Sequence, residues 1–183
     1  MNIVQIIDQH TFALKRAIEQ ASLIQRKSLV IAIFGFYQRL PHFENIIERH
    51  YQIRIDNKQL FKDIELENLT HYQSQIKQAN AAIDEYADDY EELEATQIIA
   101  LDAFSMIVSN QNKSRNLVAL FSSVIEVLDY YENFSENPSF WNQILEQEII
   151  FQEKIMKEIS DGVIFDESIY AERYQSIEFP DLD

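Results

Sequence analysis

Apolar residues recur at steps of three and four along most of this 183-residue chain. This spacing places side chains on one face of an α-helix. Ser114 precedes the clearest example and is the helix cap that the pattern predicts. The apolar positions of that segment are Leu117, Leu120, Phe121, Val124, Leu128 and Tyr131.

The same spacing predicts an all-α fold of six to seven helices. Pro41 suits the first turn of a short helix, Asn137 followed by Pro138 marks the start of the last long one, and Gly162 suits its end. Asp56 or Asn57 is a plausible cap for the fourth. The predicted helices cover about 2–19, 25–40, 42–51, 56–78, 84–109 and 138–160, with a sixth that starts at Ser114 and carries apolar positions as far as Tyr131.

The longest uninterrupted apolar run covers residues 29–37, LVIAIFGFY. It is about half as long as the roughly 20 residues that a membrane-spanning helix needs. The run therefore predicts a central helix that is buried on most sides, and no membrane anchor. With two glycines and three prolines in the whole chain, turns for a many-stranded sheet are scarce, which also favours helices.

No repeat or linker divides the chain, and an apolar content of 46% suits one globular domain. We expect a helical bundle over residues 1–162 and a tail over 163–183. The tail carries Phe165, Tyr170, Tyr174 and Phe179. These side chains are expected to be partly ordered against the bundle or against a second subunit, since two-fold homodimers are the commonest oligomers.

The charge is unevenly distributed. Residues 1–60 carry a net charge of +3 and residues 61–183 a net charge of -19, which together give the -16 of the chain. A surface this acidic repels nucleic-acid phosphates and anionic membranes, so we expect neither as a partner. A basic protein partner is compatible with it.

The N-terminus and the cysteine content bear on location. Asp8 and His10 interrupt what would be the apolar core of a signal peptide, so no export signal is expected. The chain has no cysteine, which excludes disulfides, zinc–thiolate sites and cysteine nucleophiles. Both features agree with a cytoplasmic protein.

Three short motifs carry a family resemblance. They are Tyr37 to Phe43 (YQRLPHF), Ala100 to Ala103 (ALDA) and Glu136 to Pro138 (ENP). In these motifs the chain resembles the YjaG-like family over residues 26–160. The resemblance implies a small, bacterial, acidic, all-helical protein, and it implies no activity because none is established for that family. Ile98 and Ile99 depart from the family pattern, which has an aromatic–proline pair there.

An acidic segment, DEYADDYEELE, covers residues 84–94 and opens the fifth predicted helix. Its carboxylates are best explained as the solvated start of that helix, because negative charge is favourable at a helix N-terminus. They also permit a second interpretation, since oxygen ligands on one helix face can hold Mg²⁺ or Mn²⁺. The arrangement then resembles that of all-α nucleotide pyrophosphatases. The residues involved are Glu85, Asp88, Asp89, Glu92, Glu126 and Asp129.

The histidines favour no metal site. A carboxylate-bridged di-iron bundle uses Glu-x-x-His on two helices, and none of the four histidines has a glutamate three residues before it. His71 follows Glu67 by four residues, which predicts a surface hydrogen bond. Gly-x-Ser-x-Gly is also absent, so no nucleophile elbow is expected. No cofactor is predicted.

Asp102 is the most unusual charged residue, because it lies within the apolar segment IIALDAFSMIV. An ionised carboxylate facing the core costs several kcal/mol unless it is paired. We therefore predict that Asp102 forms a partly buried ion pair with Arg39, which would fix the packing of two helices. A ligand-binding site that uses Arg39 is the alternative.

These observations favour a cytoplasmic, all-helical, non-enzymatic interaction or regulatory protein with an acidic surface. The alternative is a divalent-metal-dependent hydrolase similar to the nucleotide pyrophosphatases, using Asp88, Asp89, Glu92, Glu126 and Asp129. The two functions differ in what they need: the first needs a protein partner, and the second needs these carboxylates to converge around a metal ion.

Overall fold

The computed structural model describes residues 3–83, 92–111 and 113–182, with side chains from residue 9 onward. This part of the chain is all-helical and contains nine α-helices. They are α1 (Ile3–Gln20), α2 (Leu23–Tyr37), α3 (Phe43–Tyr51), α4 (Asn57–Leu66), α5 (Thr70–Ala81), α6 (Ala95–Ile107), α7 (Lys113–Phe134), α8 (Pro138–Ser160) and α9 (Ile169–Arg173).

The predicted number of six to seven helices is too small for two reasons. The predicted helix over 56–78 is divided into α4 and α5, because Glu67 adopts a left-handed conformation with φ of 59° and ends α4 there. The apolar spacing continues across this break, so the pattern does not reveal it. The tail also contains a short helix, α9, that the sequence did not predict.

The apolar run over residues 29–37 forms the buried part of α2, as predicted. α2 packs against α4, α6, α7 and α9, and α1 packs against α7 and α8. Ser22 caps α2 by accepting a hydrogen bond from the Gln25 backbone N–H, while the Ser22 N–H donates to Gln25 Oε1. This capping box fixes where the central helix begins.

The tail lies on the bundle over residues 163–182. Phe165, Tyr170, Tyr174 and Phe179 are buried there. Gly35 of α2 allows the close approach of α9, since a Cβ atom at this position would lie 2.8 Å from the backbone nitrogen of Ala171.

Two predicted helix starts need correction. Residues 92–94 of the acidic segment precede α6, and Glu94 adjoins the helix start, where its N–H donates to Gln97 Oε1 at 3.2 Å. The rest of that segment, 84–91, lies outside the described residues. Ser114 was predicted as a cap, but it lies inside α7, which already includes Lys113.

The apolar runs of the described helices are short or interrupted by polar residues. None of these helices has the length and hydropathy to span a membrane.

Candidate functional site

A buried carboxylate connects the tail to α8. Glu148 is fully buried and accepts hydrogen bonds from the hydroxyl groups of Tyr170 at 2.7 Å and Tyr174 at 2.8 Å. Arg173 Nε donates to the same carboxylate at 3.0 Å. A buried charge is tolerated when a cation and hydrogen bonds compensate it. This set of contacts therefore holds α9 against α8.

Gln152 extends this network toward α1. Its Nε2 donates to Glu148 Oε1 and to the Phe121 carbonyl, both at 3.0 Å. Its Oε1 is then an acceptor, so His10 donates to it from Nε2 at 2.8 Å. The network joins α1, α7, α8 and α9, and its buried polar atoms form hydrogen bonds with one another. Its role is therefore structural.

The tyrosines of this network show its electrostatic effect. Burial raises the pKa of Tyr170 and Tyr174 above the ordinary value, and the negative charge of Glu148 raises it further. Sequence reasoning missed Glu148 because it lies in a helix with many other glutamates. The only signal was the spacing of Tyr170, Arg173 and Tyr174 on one helix face.

Arg39 and Asp102 are both exposed, and no ion pair joins them within the described part of the chain. The prediction of a partly buried ion pair between Asp102 and Arg39 is therefore wrong. The core positions of α6 are occupied by Leu101, Ala103 and Phe104, and Asp102 lies on the solvent side beside Tyr51.

Arg39 has a different partner. Its Nη2 donates to the backbone carbonyls of Gln175 and Ile177, each at 3.3 Å. Arg39 therefore holds the end of the tail and not a residue of α6. Its predicted role in ligand binding stays a prediction.

A polar cleft lies beside the end of the tail. His42 has a left-handed backbone with φ of 57°, and its Nε2 is 3.1 Å from the Asp181 carboxylate. Arg49 and His50 line the same cleft, whose volume is about 230 Å³. The pKa of His50 is lowered by burial and then by the positive charge of Arg49.

His71 does not make the contact that the sequence predicts. His71 lies 3.9 Å from the buried carboxylate of Asp63. The prediction that it would bond Glu67 is wrong, because Glu67 turns toward Lys27 and Lys113 at the end of α4.

Part of the predicted acidic cluster can be placed. Glu92 and Glu126 are exposed and Asp129 is half-buried, whereas Glu85, Asp88 and Asp89 lie outside the described residues. Among the side chains that are described, no three His, Asp or Glu residues lie close enough together to hold a metal ion.

The turn between α7 and α8 presents aromatic side chains to solvent. Phe134 is 67% exposed, and its ring lies 4.8 Å from that of Tyr130, one helical turn earlier. Phe140 at the start of α8 is 38% exposed and packs edge-on against Trp141. We call these aromatic residues and four nearby carboxylates the α7–α8 corner. Its residues are Tyr130, Phe134, Phe140, Glu126, Asp129, Glu132 and Glu136.

The carboxylates of this corner have no basic residue nearby in sequence. Residues 116–153 contain seven Asp and Glu and no Lys or Arg. Glu126 lies on the helix face of Tyr130 and Phe134, because these three residues are spaced by four. The carbonyl end of α7 adds partial negative charge at the same place. The remaining carboxylates of the corner are Asp129, Glu132 and Glu136.

No protein-family model, no curated protein and no solved structure matches the chain. The resemblance to the YjaG-like family stays a prediction that rests on its short motifs.

Proposed function

We propose that this protein is a non-enzymatic interaction protein whose acidic surface binds a basic segment of a protein partner. The single observation that carries the proposal is the α7–α8 corner, where Phe134 is 67% exposed on a helix face that also bears the Glu126 carboxylate. An exposed aromatic ring among negative charges has the chemistry to hold a lysine or arginine side chain.

Two interactions would act on such a side chain. The positive head group is attracted to the face of an aromatic ring, which contributes about 0.5–1 kcal/mol at an exposed site. The Glu126 carboxylate lies two helical turns before Phe134 on the same helix face and attracts the same group electrostatically, and Asp129, Glu132 and Glu136 add to the negative potential of the corner. Neither interaction requires a metal ion or a reacting group.

The charge of the whole chain favours the same type of partner. A net charge of -16 attracts basic segments from a distance and accelerates their encounter. Aromatic residues at the point of contact then provide most of the short-range binding energy, as they do at protein interfaces generally. The corner combines both features.

Binding to a short oligolysine peptide tests this proposal. Trp141 is the one tryptophan of the chain, and it contacts Phe140 in the corner, so its fluorescence reports binding there. We expect a saturable change in fluorescence with oligolysine and none with oligoglutamate of the same length. The binding should weaken at high ionic strength, because salt screens exposed charges.

The result that would contradict the proposal is also specific. If oligolysine and oligoglutamate give the same response, or if calorimetry detects no binding of oligolysine at low ionic strength, the acidic corner is not a site for basic segments.

A further inference from the structure

A small pocket lies among α2, α4, α6 and α7, and the proposed function uses none of the residues that line it. Its apolar lining includes Leu23, Val30, Ile64, Leu69, Met106 and Leu117. Arg26, Lys27 and Lys113 also line it. Apolar walls with a few convergent polar groups are characteristic of small-molecule sites.

The pocket concentrates positive charge in an acidic protein. Lys27 lies 3.7 Å from Glu67 and Lys113 contacts the same carboxylate. Lys27 and Lys113 thus share one carboxylate, and Arg26 pairs with no carboxylate among the described residues, which leaves a local excess of positive charge in a chain whose net charge is -16. Lysines from α2 and α7 are 86 residues apart in sequence, so only the fold brings them together.

Arg26 has an unused hydrogen-bond donor at this site. Its Nη1 donates to Ser114 Oγ at 2.7 Å. Its Nε is buried and has no hydrogen-bond partner among the described residues. Leaving a buried donor without a partner costs free energy, and a bound acceptor would recover it.

The environment of Lys113 agrees with a site for a negative group. Burial lowers the pKa of Lys113, and the positive charges of Lys27 and Arg26 lower it further. A bound anion would reduce this repulsion.

We infer that this pocket binds a small organic anion, with its carboxylate among Arg26, Lys27 and Lys113 and a short apolar chain between α2, α6 and α7. The space limits the chain length. The cavity measures about 30 Å³, which is roughly room for two water molecules. Long polyanions are disfavoured because the rest of the chain repels them.

Calorimetric titration with acetate, butyrate and butylammonium tests the inference. We expect butyrate to bind more tightly than acetate by about fourfold in all, because the cavity has room for about one of the two added CH₂ groups. Butylammonium has the same apolar chain and a positive charge, so it should not bind. Equal affinity for butyrate and butylammonium would overturn the inference, and so would an absence of butyrate binding in wild type and in Glu67→Gln.

Two variants and a control locate the site. Lys113→Met should weaken butyrate binding about tenfold, since it removes a charged donor. Glu67→Gln should strengthen binding by about threefold, because Glu67 competes with the anion for both lysines. Lys77→Met, which changes an exposed lysine on α5, should leave affinity unchanged. If all three variants bind butyrate like wild type, the anion does not occupy this pocket.

Discussion

Arg173 on α9 donates a hydrogen bond from Nε to the buried carboxylate of Glu148 on α8, at 3.0 Å. Glu148 has no exposure to solvent, whereas the Arg173 side chain is partly exposed. The carboxylate thus depends on the tail for its counter-charge. Residues 163–182 therefore contribute to the stability of the bundle.

Arg173→Met tests that dependence. The substitution keeps a long side chain but leaves the buried carboxylate without its cation, so we expect the free energy of unfolding to fall by about 2–3 kcal/mol. Urea denaturation measures the difference. Arg54→Met is a matched control, since Arg54 is exposed in the segment between α3 and α4 and should change stability by less than about 0.5 kcal/mol. Equal effects of the two variants would show that Arg173 does not stabilise the fold.

Gly35→Ala tests the close packing of α2 on α9. The new Cβ atom would lie 2.8 Å from the Ala171 backbone nitrogen and 3.0 Å from the Ala171 Cβ. We expect a loss of about 1–3 kcal/mol, because backbone atoms must move to relieve the contact. Adding Ala171→Gly removes the contact with the Ala171 Cβ and leaves those with its backbone nitrogen and Cα, so it should recover part of the loss. A Gly35→Ala protein with wild-type stability would contradict this packing.

The raised pKa values of buried tyrosines predict a loss of stability at alkaline pH. The clearest cases are Tyr37, Tyr170 and Tyr174. Burial raises the pKa of each above its ordinary value near 10, so the folded state keeps protons that the unfolded state releases. Stability then falls as pH rises. Each tyrosine should contribute a loss of about 1 kcal/mol between about pH 10 and pH 11.

Urea denaturation over this pH range measures the slope. In Tyr37→Phe the slope should be smaller by about a fifth, because Tyr51 and Tyr72 also have a raised pKa and one of five such described tyrosines no longer titrates. A slope identical to that of wild type would show that Tyr37 ionises equally well in the folded protein.

Gln52→Gly is expected to stabilise the protein. Gln52 ends α3 in a left-handed conformation with φ of 56°, which glycine adopts without a steric penalty. A gain of about 0.5–1 kcal/mol is expected in thermal or urea denaturation. Gln143→Gly, in the exposed interior of α8, should instead cost about 1 kcal/mol. A loss of stability in both variants would indicate that Gln52 contributes more than its backbone conformation.

Local signals in the sequence predicted much of the fold. The last long helix begins at Pro138 and ends at Ser160 as expected, because Asn137 accepts a hydrogen bond from the Phe140 N–H and Gly162 has the positive φ that follows a helix. The break at Glu67 was not predicted. Nothing in the side chain of a glutamate indicates a left-handed backbone, which tertiary contacts impose here.

The polar contacts were harder to predict than the helices. Asp102 was expected to form a partly buried ion pair because its neighbours are apolar, yet a helix has a solvent side on which a single charged residue is tolerated. Glu148 looked like one more surface glutamate and is fully buried. Both errors have the same cause: hydropathy gives the apolar face of a helix, but the partner of each charge depends on distant segments.

The candidate site was predicted only in part. The acidic character of residues 61–183 was evident from the sequence, and Glu126 and Asp129 were identified as candidates for a different function. The exposure of Phe134 could not be inferred, because Phe134 follows the buried Tyr131 by three residues, a spacing that is typical of one helix face.

The most direct test of the proposed function is the affinity of Phe134→Ala for oligolysine, compared with that of Phe12→Ala by calorimetry. Phe12 on α1 is 64% exposed, so it is a matched phenylalanine outside the corner. The proposal predicts that Phe134→Ala weakens binding by about threefold to fivefold, since it removes a cation–aromatic contact, while Phe12→Ala binds like wild type. Equal affinities of the two variants would contradict the proposal that the α7–α8 corner is where a basic partner binds.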